Sequence, residues 1–304
     1  MHTVILHMSA LIACGAFWRF IRPGGLDADI TRQVLTSLVY YLLLPALVIQ
    51  VLWKAPLGLS SFGIAAAAAA GVLSSILISI LICRTCQHDG KVTGAVVLAA
   101  SFPNATYMGL PVLESLYGED GRSIAIQYDL FACTPLLLTL GILIAHIYGK
   151  GDNQQLQWRS ILKVPPLWAA LFGVLLNVSG TTMPAGLDQG LEMLAAGVIP
   201  LMLFSLGLSL RWDTIKISRL PTVIPIVMLQ LAITPLIVWG VAQGVGLEGI
   251  VLAGTVLEAA MPSMVIGLVL CDRYKLDTAL YAAAVTLTTL LSLFTLPAWS
   301  GLLS

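Results

Sequence analysis

Asparagine, glycine and two prolines interrupt an apolar run in the first half of the chain. Residues 96–111 read Val-Val-Leu-Ala-Ala-Ser-Phe-Pro-Asn-Ala-Thr-Tyr-Met-Gly-Leu-Pro. Proline removes a backbone donor and glycine is a poor helix residue, so a helix is predicted to break around Asn104. Broken backbone persists inside a bilayer only where it is buried in protein or lines a cavity. The break is therefore a candidate site for a ligand.

A second apolar run, 249–272, repeats this plan in the other half of the chain. Here Glu258 is followed by Pro262 and Ser263. At a helical rise of about 1.5 Å per residue, Asn104 and Glu258 both fall near the middle of a bilayer. Ordinary proline kinks relieved by neighbouring helices are the simpler alternative. Breaks at corresponding places in both halves favour a shared binding site.

Three acids, Glu114, Asp129 and Glu258, fall inside apolar runs. An acid at the centre of a membrane helix costs about 2.5–3.5 kcal/mol, so it is normally paired or functional. Glu114 lies near the end of its run, where an interfacial acid is the simpler interpretation. No lysine or arginine falls at mid-depth in any run. Asp129 and Glu258 are therefore predicted to carry a coupling proton or to hold a sodium ion.

The same shortage of cations restricts how an anion would bind. Its charge would meet helix N-termini and neutral donors, from half-helices that begin near 107–109 and at 262–263. Tyr107 is equally compatible with a packing role. The predicted anion site, which suits a carboxylate, consists of Asn104, Thr106, Tyr107, Gly109, Pro111, Pro262 and Ser263.

The whole chain is too apolar for a soluble protein. Of its 304 residues, 58% are hydrophobic and 10% are charged, and the mean hydropathy is +0.95. Soluble domains carry about 25% charged residues. The net charge is zero and no basic stripe occurs, which argues against nucleic acid as a partner. The sequence has no HExxH motif or comparable catalytic set, and no enzyme activity, cofactor or metal is predicted.

Ten apolar runs are predicted to span a membrane, each about long enough for its hydrocarbon core. They cover 3–21, 33–53, 61–83, 92–117, 122–148, 164–180, 187–210, 219–243, 249–272 and 278–301. All of the 15 lysines and arginines except Lys54 and Arg122 lie at the odd-numbered connections. Positive charge marks the cytoplasmic side. We therefore expect both termini outside a cell membrane, the inner membrane of a bacterium.

The chain is predicted to divide into two five-helix repeats. Residues 1–148 form the first repeat and 164–304 the second, joined by a polar cytoplasmic linker at 149–163. An odd number of spans per repeat inverts the second copy, and inverted repeats are a common transporter construction.

Two similarities between the halves support this division. Val-Leu-Ala at 97–99 recurs at 251–253, a shift of 154. A proline-containing segment of the second run recurs in the seventh at a shift of 155. The first shift pairs Asn104 with Glu258.

Two segments resemble the auxin efflux carrier family of transporters in its short bacterial form. They are 103–111 (Pro-Asn-Ala-Thr-Tyr-Met-Gly-Leu-Pro) and 259–263 (Ala-Ala-Met-Pro-Ser), the second followed by Cys-Asp-Arg-Tyr at 271–274. Residues 41–47 resemble the family's second helix, and the likeness runs over the whole chain. This resemblance implies an all-α membrane protein with a five-plus-five inverted repeat, in which broken helices four and nine cross.

The resemblance also implies a function. Members of the family move small organic anions, among them auxin and dicarboxylates such as malonate or malate. A transport unit slides, elevator-like, against a scaffold of spans one, two, six and seven, in a homodimer. Asn104 corresponds to the crossover asparagine and Pro262 to the proline of the second crossover. At Glu258 the chain departs from plant members, which have a neutral polar residue, so their ion-independent mechanism is not carried over.

We therefore expect a secondary transporter for a mono- or dicarboxylate or an auxin-like acid, coupled to H⁺ or Na⁺. Two alternatives stay open at this point. A sodium–bile-acid-type symporter of similar architecture would need more paired polar residues at the crossing. A membrane sensor would bind the anion without moving it.

Overall fold

Every regular element in the described part of the chain is helical. The computed structural model describes residues 2–149 and 164–303. Its α-helices are α1 (His2–Ile21), α2 (Ala28–Leu38), α3 (Leu44–Lys54), α4 (Leu59–Thr85), α5 (Gly90–Ser101), α6 (Leu110–Tyr128), α7 (Thr134–Leu136), α8 (Ile142–Tyr148), α9 (Pro165–Val178), α10 (Ala185–Ala195), α11 (Val198–Ser209), α12 (Leu220–Met228), α13 (Thr234–Gly244), α14 (Gly249–Ala259), α15 (Gly267–Arg273) and α16 (Thr278–Leu303). The predicted all-α class is confirmed. The predicted linker lies outside the described residues apart from Gly149.

Six helical segments in the described residues are long and apolar enough to cross a membrane. They are Ala28–Lys54, Leu59–Thr85, Ala105–Tyr148, Ala185–Thr214, Ile217–Gly244 and Thr278–Leu303. Shorter apolar helices accompany them at Leu6–Ile21, Gly90–Ser101, Pro165–Val178 and Gly249–Ala259. Two of these short helices, α5 and α14, are the first halves of the runs predicted to break.

Four turns of π-helix each precede a proline. They are Val39–Leu43 before Pro45, Ala105–Gly109 before Pro111, Asp129–Cys133 before Pro135, and Leu229–Ile233 before Pro235. Proline has no N–H and its ring crowds the carbonyl four residues earlier. The residue before each proline bonds instead to the carbonyl five residues back, as the Leu110 N–H does to Ala105. Such widened turns are frequent at functional sites, and two of these four hold Thr106 and Asp129.

The helices pack in two groups. In the first packing group, α1 lies along α11, α2 packs on α11, and α3 packs on α9 and α10. The second packing group contains α4–α8 and α12–α16, with α4 against α5 and α13, and α14 against α6 and α13. The groups meet where α3 contacts α6 and where α11 contacts the π-turn Ala105–Gly109. That boundary holds the predicted site.

Glycines allow α1 and α11 to approach each other closely within the first packing group. A Cβ added at Gly207 would collide with the Ile12 carbonyl oxygen, and one at Gly15 with the Phe204 carbonyl oxygen. Small residues are the usual contacts of closely packed membrane helices.

Substitution Gly207→Leu is therefore expected to force α1 and α11 apart. The loss of stability should be about 1–3 kcal/mol, the range for overpacking, and appear as a lower melting temperature in detergent. The matched control is Gly240→Ala on α13, because an added Cβ there meets nothing within 4 Å. The control should keep or raise the melting temperature. An unchanged value for Gly207→Leu would contradict the α1–α11 packing.

Candidate functional site

The two interrupted segments cross as short antiparallel stretches in the protein interior. The Asn104 N–H donates to the Pro262 carbonyl at 2.7 Å, and the Met264 N–H donates to the Phe102 carbonyl at 3.0 Å. Between these bonds, Pro103 lies opposite Ser263. Each broken stretch therefore supplies hydrogen-bond partners to the other, as non-helical backbone at membrane depth requires.

The residues that face Asn104 across this crossing are those around Pro262. Pro103 lies opposite Ser263, and the Asn104 N–H bonds to the Pro262 carbonyl. Glu258, which the sequence shift of 154 pairs with Asn104 as repeat equivalents, does not face it. It lies on α14, one turn before Pro262.

Ser263 forms hydrogen bonds that stabilise the crossing. Its N–H donates to Thr288 Oγ1 at 3.1 Å, and its hydroxyl donates to the Ala99 carbonyl at 2.6 Å. Both of its donors are therefore used within the protein. The serine was predicted to contact an anion, but in this arrangement it has no free donor to offer.

The second half-helix starts later than predicted. It begins at Gly267, with Ile266 as its N-cap, and not at 262–263. The cause is the crossing itself, because residues 262–264 are held in extended pairing with 102–104. Gln230 on the neighbouring π-turn supports this stretch by donating to the Met261 carbonyl at 2.9 Å.

Asn104 starts the first half-helix. Its Oδ1 accepts the Tyr107 N–H at 3.3 Å, and asparagine is among the favoured N-cap residues. The half-helix therefore begins at Ala105, two residues before the predicted start. The Asn104 side chain is buried, and its Nδ2 has no acceptor among the described residues. An unpaired buried donor is costly unless a ligand or water meets it.

Thr106 and Asp129 meet between two widened turns. The Thr106 hydroxyl donates to Asp129 Oδ2, and Thr134 Oγ1 donates to Asp129 Oδ1 at 2.9 Å. Both Thr106 and Asp129 border a narrow cavity of about 30 Å³ between the packing groups, which Tyr40 and Val164 also line. Within residues 2–149 and 164–303, Asp129 forms no ion pair.

Glu258 packs directly on Gly109. A Cβ added at Gly109 would overlap both carboxylate oxygens of Glu258. The side chain of Glu258 is fully buried, and neither oxygen has a hydrogen-bond partner in the part of the chain described. A buried carboxylate that is ionised and unpaired is very costly, so the neutral, protonated form suits this environment. Glu258 thus links α14 to the restart of the other broken helix.

Glu114, which was predicted to be an interfacial acid, has a cationic partner. Arg122 donates to its carboxylate from Nε at 2.9 Å and Nη2 at 2.5 Å. The chain reverses between them at Gly118, where φ is 60° and ψ is −134°. Arg122 Nη1 also lies 3.5 Å from Glu192 on α10. Arg122 therefore pairs with an acid in each of the two packing groups.

Arg32 enters the site from the first packing group, although the sequence did not single it out. A cavity of about 90 Å³ is lined by Arg32, Thr36, Tyr107, Ser205, Leu206, Val265, Ile266 and Val269. The apolar run was predicted to start at residue 33, which left this arginine in a connection. The helix in fact begins at Ala28, because Asp27 caps it by accepting the Asp29 and Ile30 N–H groups. An aspartate just before a periodic apolar segment is the signal that would have placed Arg32 on a helix.

Of the remaining predicted residues, Tyr107 lines the site and Pro111 determines the backbone conformation beside it. Tyr107 is buried and faces the same cavity as Arg32. Pro111 is also buried, but it lies in the first turn of α6, beyond the crossing. Its effect on the site is to impose the π-turn that carries Thr106 and Gly109.

Interrupted apolar helices that meet at a buried point are a feature of many membrane transporters. Residues 5–300 match the family model described as Membrane transport protein. An uncharacterized transporter of Methanothermobacter thermautotrophicus is 31% identical over 98% of this chain and 97% of its own. Auxin efflux carrier component 8 of Arabidopsis thaliana is 22% identical over 66% of this chain and 68% of its own. The chain belongs to this membrane transport family, the auxin efflux carrier family, and is a multi-pass membrane protein.

Proposed function

We propose that the protein is a secondary transporter that carries a small organic anion, a mono- or dicarboxylate or an auxin-like acid, across the cell membrane. The observation that carries this proposal is the Asn104 amide at the helix crossing. Its Nδ2 is buried and finds no acceptor among the described residues. A carboxylate oxygen of the substrate would accept a hydrogen bond from this Nδ2 group.

The start of a helix beside Asn104 supports an anion at this position. The first N–H groups of a helix have no partners within the helix. Together with the helix dipole they favour negative charge. The half-helix that begins at Ala105 presents these groups next to Asn104 Nδ2. In this proposal Asn104 and the amides of residues 105 and 106 bind the carboxylate, while Pro262 and Ser263 hold the crossing in shape.

Alternating access would come from relative motion of the two packing groups. In this proposal the first packing group, which contains spans one, two, six and seven, is the scaffold, and the second packing group is the transport unit. Cavities approach the boundary between them from two places. One is the 90 Å³ cavity at Arg32, and another of about 150 Å³ is lined by Gln50, Lys54 and Arg122 among others. We retain ten spans in two inverted repeats, outside termini and a homodimer as parts of this proposal.

Glu258 is the proposed coupling site, with Asp129 as a second candidate, and a proton is the proposed ion. Both Glu258 oxygens are packed against Gly109. A sodium ion needs several oxygen ligands, whereas no described group forms a hydrogen bond to either Glu258 oxygen. A proton requires no such ligands.

Uptake into reconstituted proteoliposomes tests this function. Labelled mono- and dicarboxylates would be offered with pH and sodium gradients imposed separately. We expect saturable uptake that an inward proton gradient drives to accumulation and a sodium gradient does not. Accumulation driven by sodium would instead identify sodium as the coupling ion. Ligand-dependent thermal stabilisation without any uptake would identify a sensor.

A further inference from the structure

Three arginines and one aspartate form a cluster at one end of the first packing group. Asp29 accepts hydrogen bonds from Arg19 at 3.2 and 3.3 Å and from Arg211 at 3.3 Å. The Nε of Arg32 lies 3.9 Å from Asp29 Oδ1, which is too long for a hydrogen bond. One carboxylate thus faces three guanidinium groups. The cluster therefore carries two positive charges that no acid within it balances.

Arg32 also borders the cavity of about 90 Å³ between the two packing groups. Its side chain is 23% exposed, and its N–H groups form no hydrogen bond within the part of the chain that the structure describes. Ser205 of α11 lines the same cavity and is 2% exposed. Its hydroxyl likewise has no hydrogen-bond partner among the described residues. A buried polar group without a partner is costly, so these donors call for an acceptor in the cavity.

The side chains at this cavity suit a small oxyanion. A guanidinium presents its N–H groups in a planar fork that matches two oxygens of one anion. Ser205 adds a hydroxyl from a neighbouring helix, and Tyr107 lines the cavity from the second packing group. None of the described residues that line the cavity is acidic. An ion with oxygens in several directions, such as phosphate or sulfate, can accept hydrogen bonds from more than one of these side chains at once.

The size of the cavity also favours a small ion. A water molecule needs about 10–15 Å³ of space in a cavity. A cavity of about 90 Å³ therefore accommodates an ion of a few heavy atoms. Sites for drug-sized ligands are much larger, at roughly 300–1,000 Å³.

We propose that this cavity is a binding site for an inorganic oxyanion, phosphate or sulfate, which Arg32, Ser205 and Tyr107 hold. The site is separate from the anion site at the helix crossing, since Asn104 is not among the residues that line the cavity. Binding of the ion here does not depend on the proposed function. Only the effect of the ion on transport rests on that function.

An ion bound in this cavity bridges the two packing groups. Arg32 and Ser205 lie on α2 and α11 of the first packing group, whereas Tyr107 lies on the π-turn of the second. The ion therefore stabilises the conformation in which these residues are close, and a ligand that prefers one conformation shifts the protein toward it. Phosphate or sulfate on the side of the arginines, the cytoplasmic side in our proposal, thus slows the relative motion of the groups and inhibits transport.

The competing explanation is that the cavity holds only water and that Arg32 serves to stabilise the start of α2 beside Asp29. Equilibrium dialysis of the detergent-solubilised full chain against radiolabelled phosphate separates the two. Our proposal predicts saturable binding of one phosphate per chain, and unlabelled sulfate should displace it. Arg32→Gln should weaken binding roughly 10- to 100-fold, as expected for the loss of a hydrogen bond to a charged group. Ser205→Ala should weaken it roughly 2- to 10-fold.

Matched variants make this comparison specific to the cavity. Arg32→Lys keeps the charge without the planar fork and should weaken binding less than Arg32→Gln. Arg22→Gln removes an exposed arginine of the same region and should bind phosphate like the wild-type protein. Asn104→Ala alters the crossing and should also keep phosphate binding. If Arg32→Gln does not fold, Arg32→Lys and Ser205→Ala carry the same comparison.

Inhibition is measured in proteoliposomes as uptake of a labelled carboxylate with and without phosphate on both sides. Phosphate should reduce uptake by the wild-type protein, and the concentration for half inhibition should be about 10- to 100-fold higher in Arg32→Gln. Equal inhibition of both proteins would refute the effect on transport.

Each contrary result on binding has a defined meaning. Absence of saturable binding, or unchanged binding in Arg32→Gln, would overturn the site. Loss of phosphate binding in Asn104→Ala, with normal binding in Arg32→Gln, would move the ion to the crossing and overturn it as well. A wild-type protein that carries no carboxylate would refute the proposed function instead, and the result of the dialysis would still decide whether the cavity binds phosphate.

Discussion

Substitution Glu258→Gln is expected to uncouple transport from the proton gradient while leaving exchange of substrate intact. Glutamine has the same size and fits against Gly109, but it cannot take up or release a proton. With one proton per substrate and the membrane potential held at zero, one pH unit supplies about 1.36 kcal/mol, or roughly tenfold accumulation. The variant should reach a ratio of about one, measured as accumulation of labelled substrate, and should keep counterflow exchange.

Two further variants make this assignment specific. Glu248→Gln alters an acid immediately before the same helix, α14, and should retain the tenfold accumulation. Asp129→Asn tests the second candidate for coupling. Loss of accumulation in Asp129→Asn, with full accumulation in Glu258→Gln, would move the coupling site to Asp129. Full accumulation in both variants would show that neither acid couples transport to the proton.

The two helix breaks could be predicted because their signals are local, whereas the crossing itself was implied by the family resemblance. Pro103 and Pro262 are incompatible with an uninterrupted helix wherever they lie. Asn104 is a polar residue inside an apolar run and also a good N-cap, so the place of the break follows from the sequence alone. The all-helical fold and the family follow from similarly direct signals, namely composition and the 103–111 motif.

The arrangement around the crossing could not be predicted in the same way because it depends on residues distant in the chain. Serine is a residue type that often binds ligands, yet the N–H and the hydroxyl of Ser263 already donate to Thr288 and to the Ala99 carbonyl. Arg32 was counted only as a cytoplasmic charge, and its place in the cavity depends on the packing of α2 against α11. The start of α15 at Gly267 follows from hydrogen bonds across the crossing, which no local pattern records.

These contacts make the side chains of the two segments different, although the backbone hydrogen bonds between the segments are symmetric. Both interrupted segments contribute one backbone donor and one backbone acceptor to the crossing. Only the first segment keeps buried side-chain donors without acceptors in the described residues, namely Asn104 Nδ2 and the Ser101 hydroxyl. The second segment contributes the buried acid Glu258 instead. In our proposal the first segment therefore binds the anion, and the second segment carries the proton.

Asn104→Ala is expected to reduce uptake at low substrate concentration by roughly 10- to 100-fold, because it removes the donor on which the anion site depends. The loss of a hydrogen bond to a charged group costs about 1.5–3 kcal/mol, which weakens binding by that factor. Alanine also removes the N-cap of the half-helix, at a cost of about 1 kcal/mol in stability. A lower melting temperature would accompany the reduced uptake, so this variant alone does not separate binding from folding.

Asn104→Asp separates the two effects. Aspartate is as good an N-cap as asparagine, and its carboxylate can still accept the Tyr107 N–H. The melting temperature should therefore stay close to that of the wild-type protein. The same carboxylate replaces the Nδ2 donor by a negative group and repels an anion at the helix start, so uptake and substrate-dependent thermal stabilisation should both be lost. If Asn104→Asp folds and still responds to the wild-type concentration of substrate, the anion binds elsewhere than at the crossing.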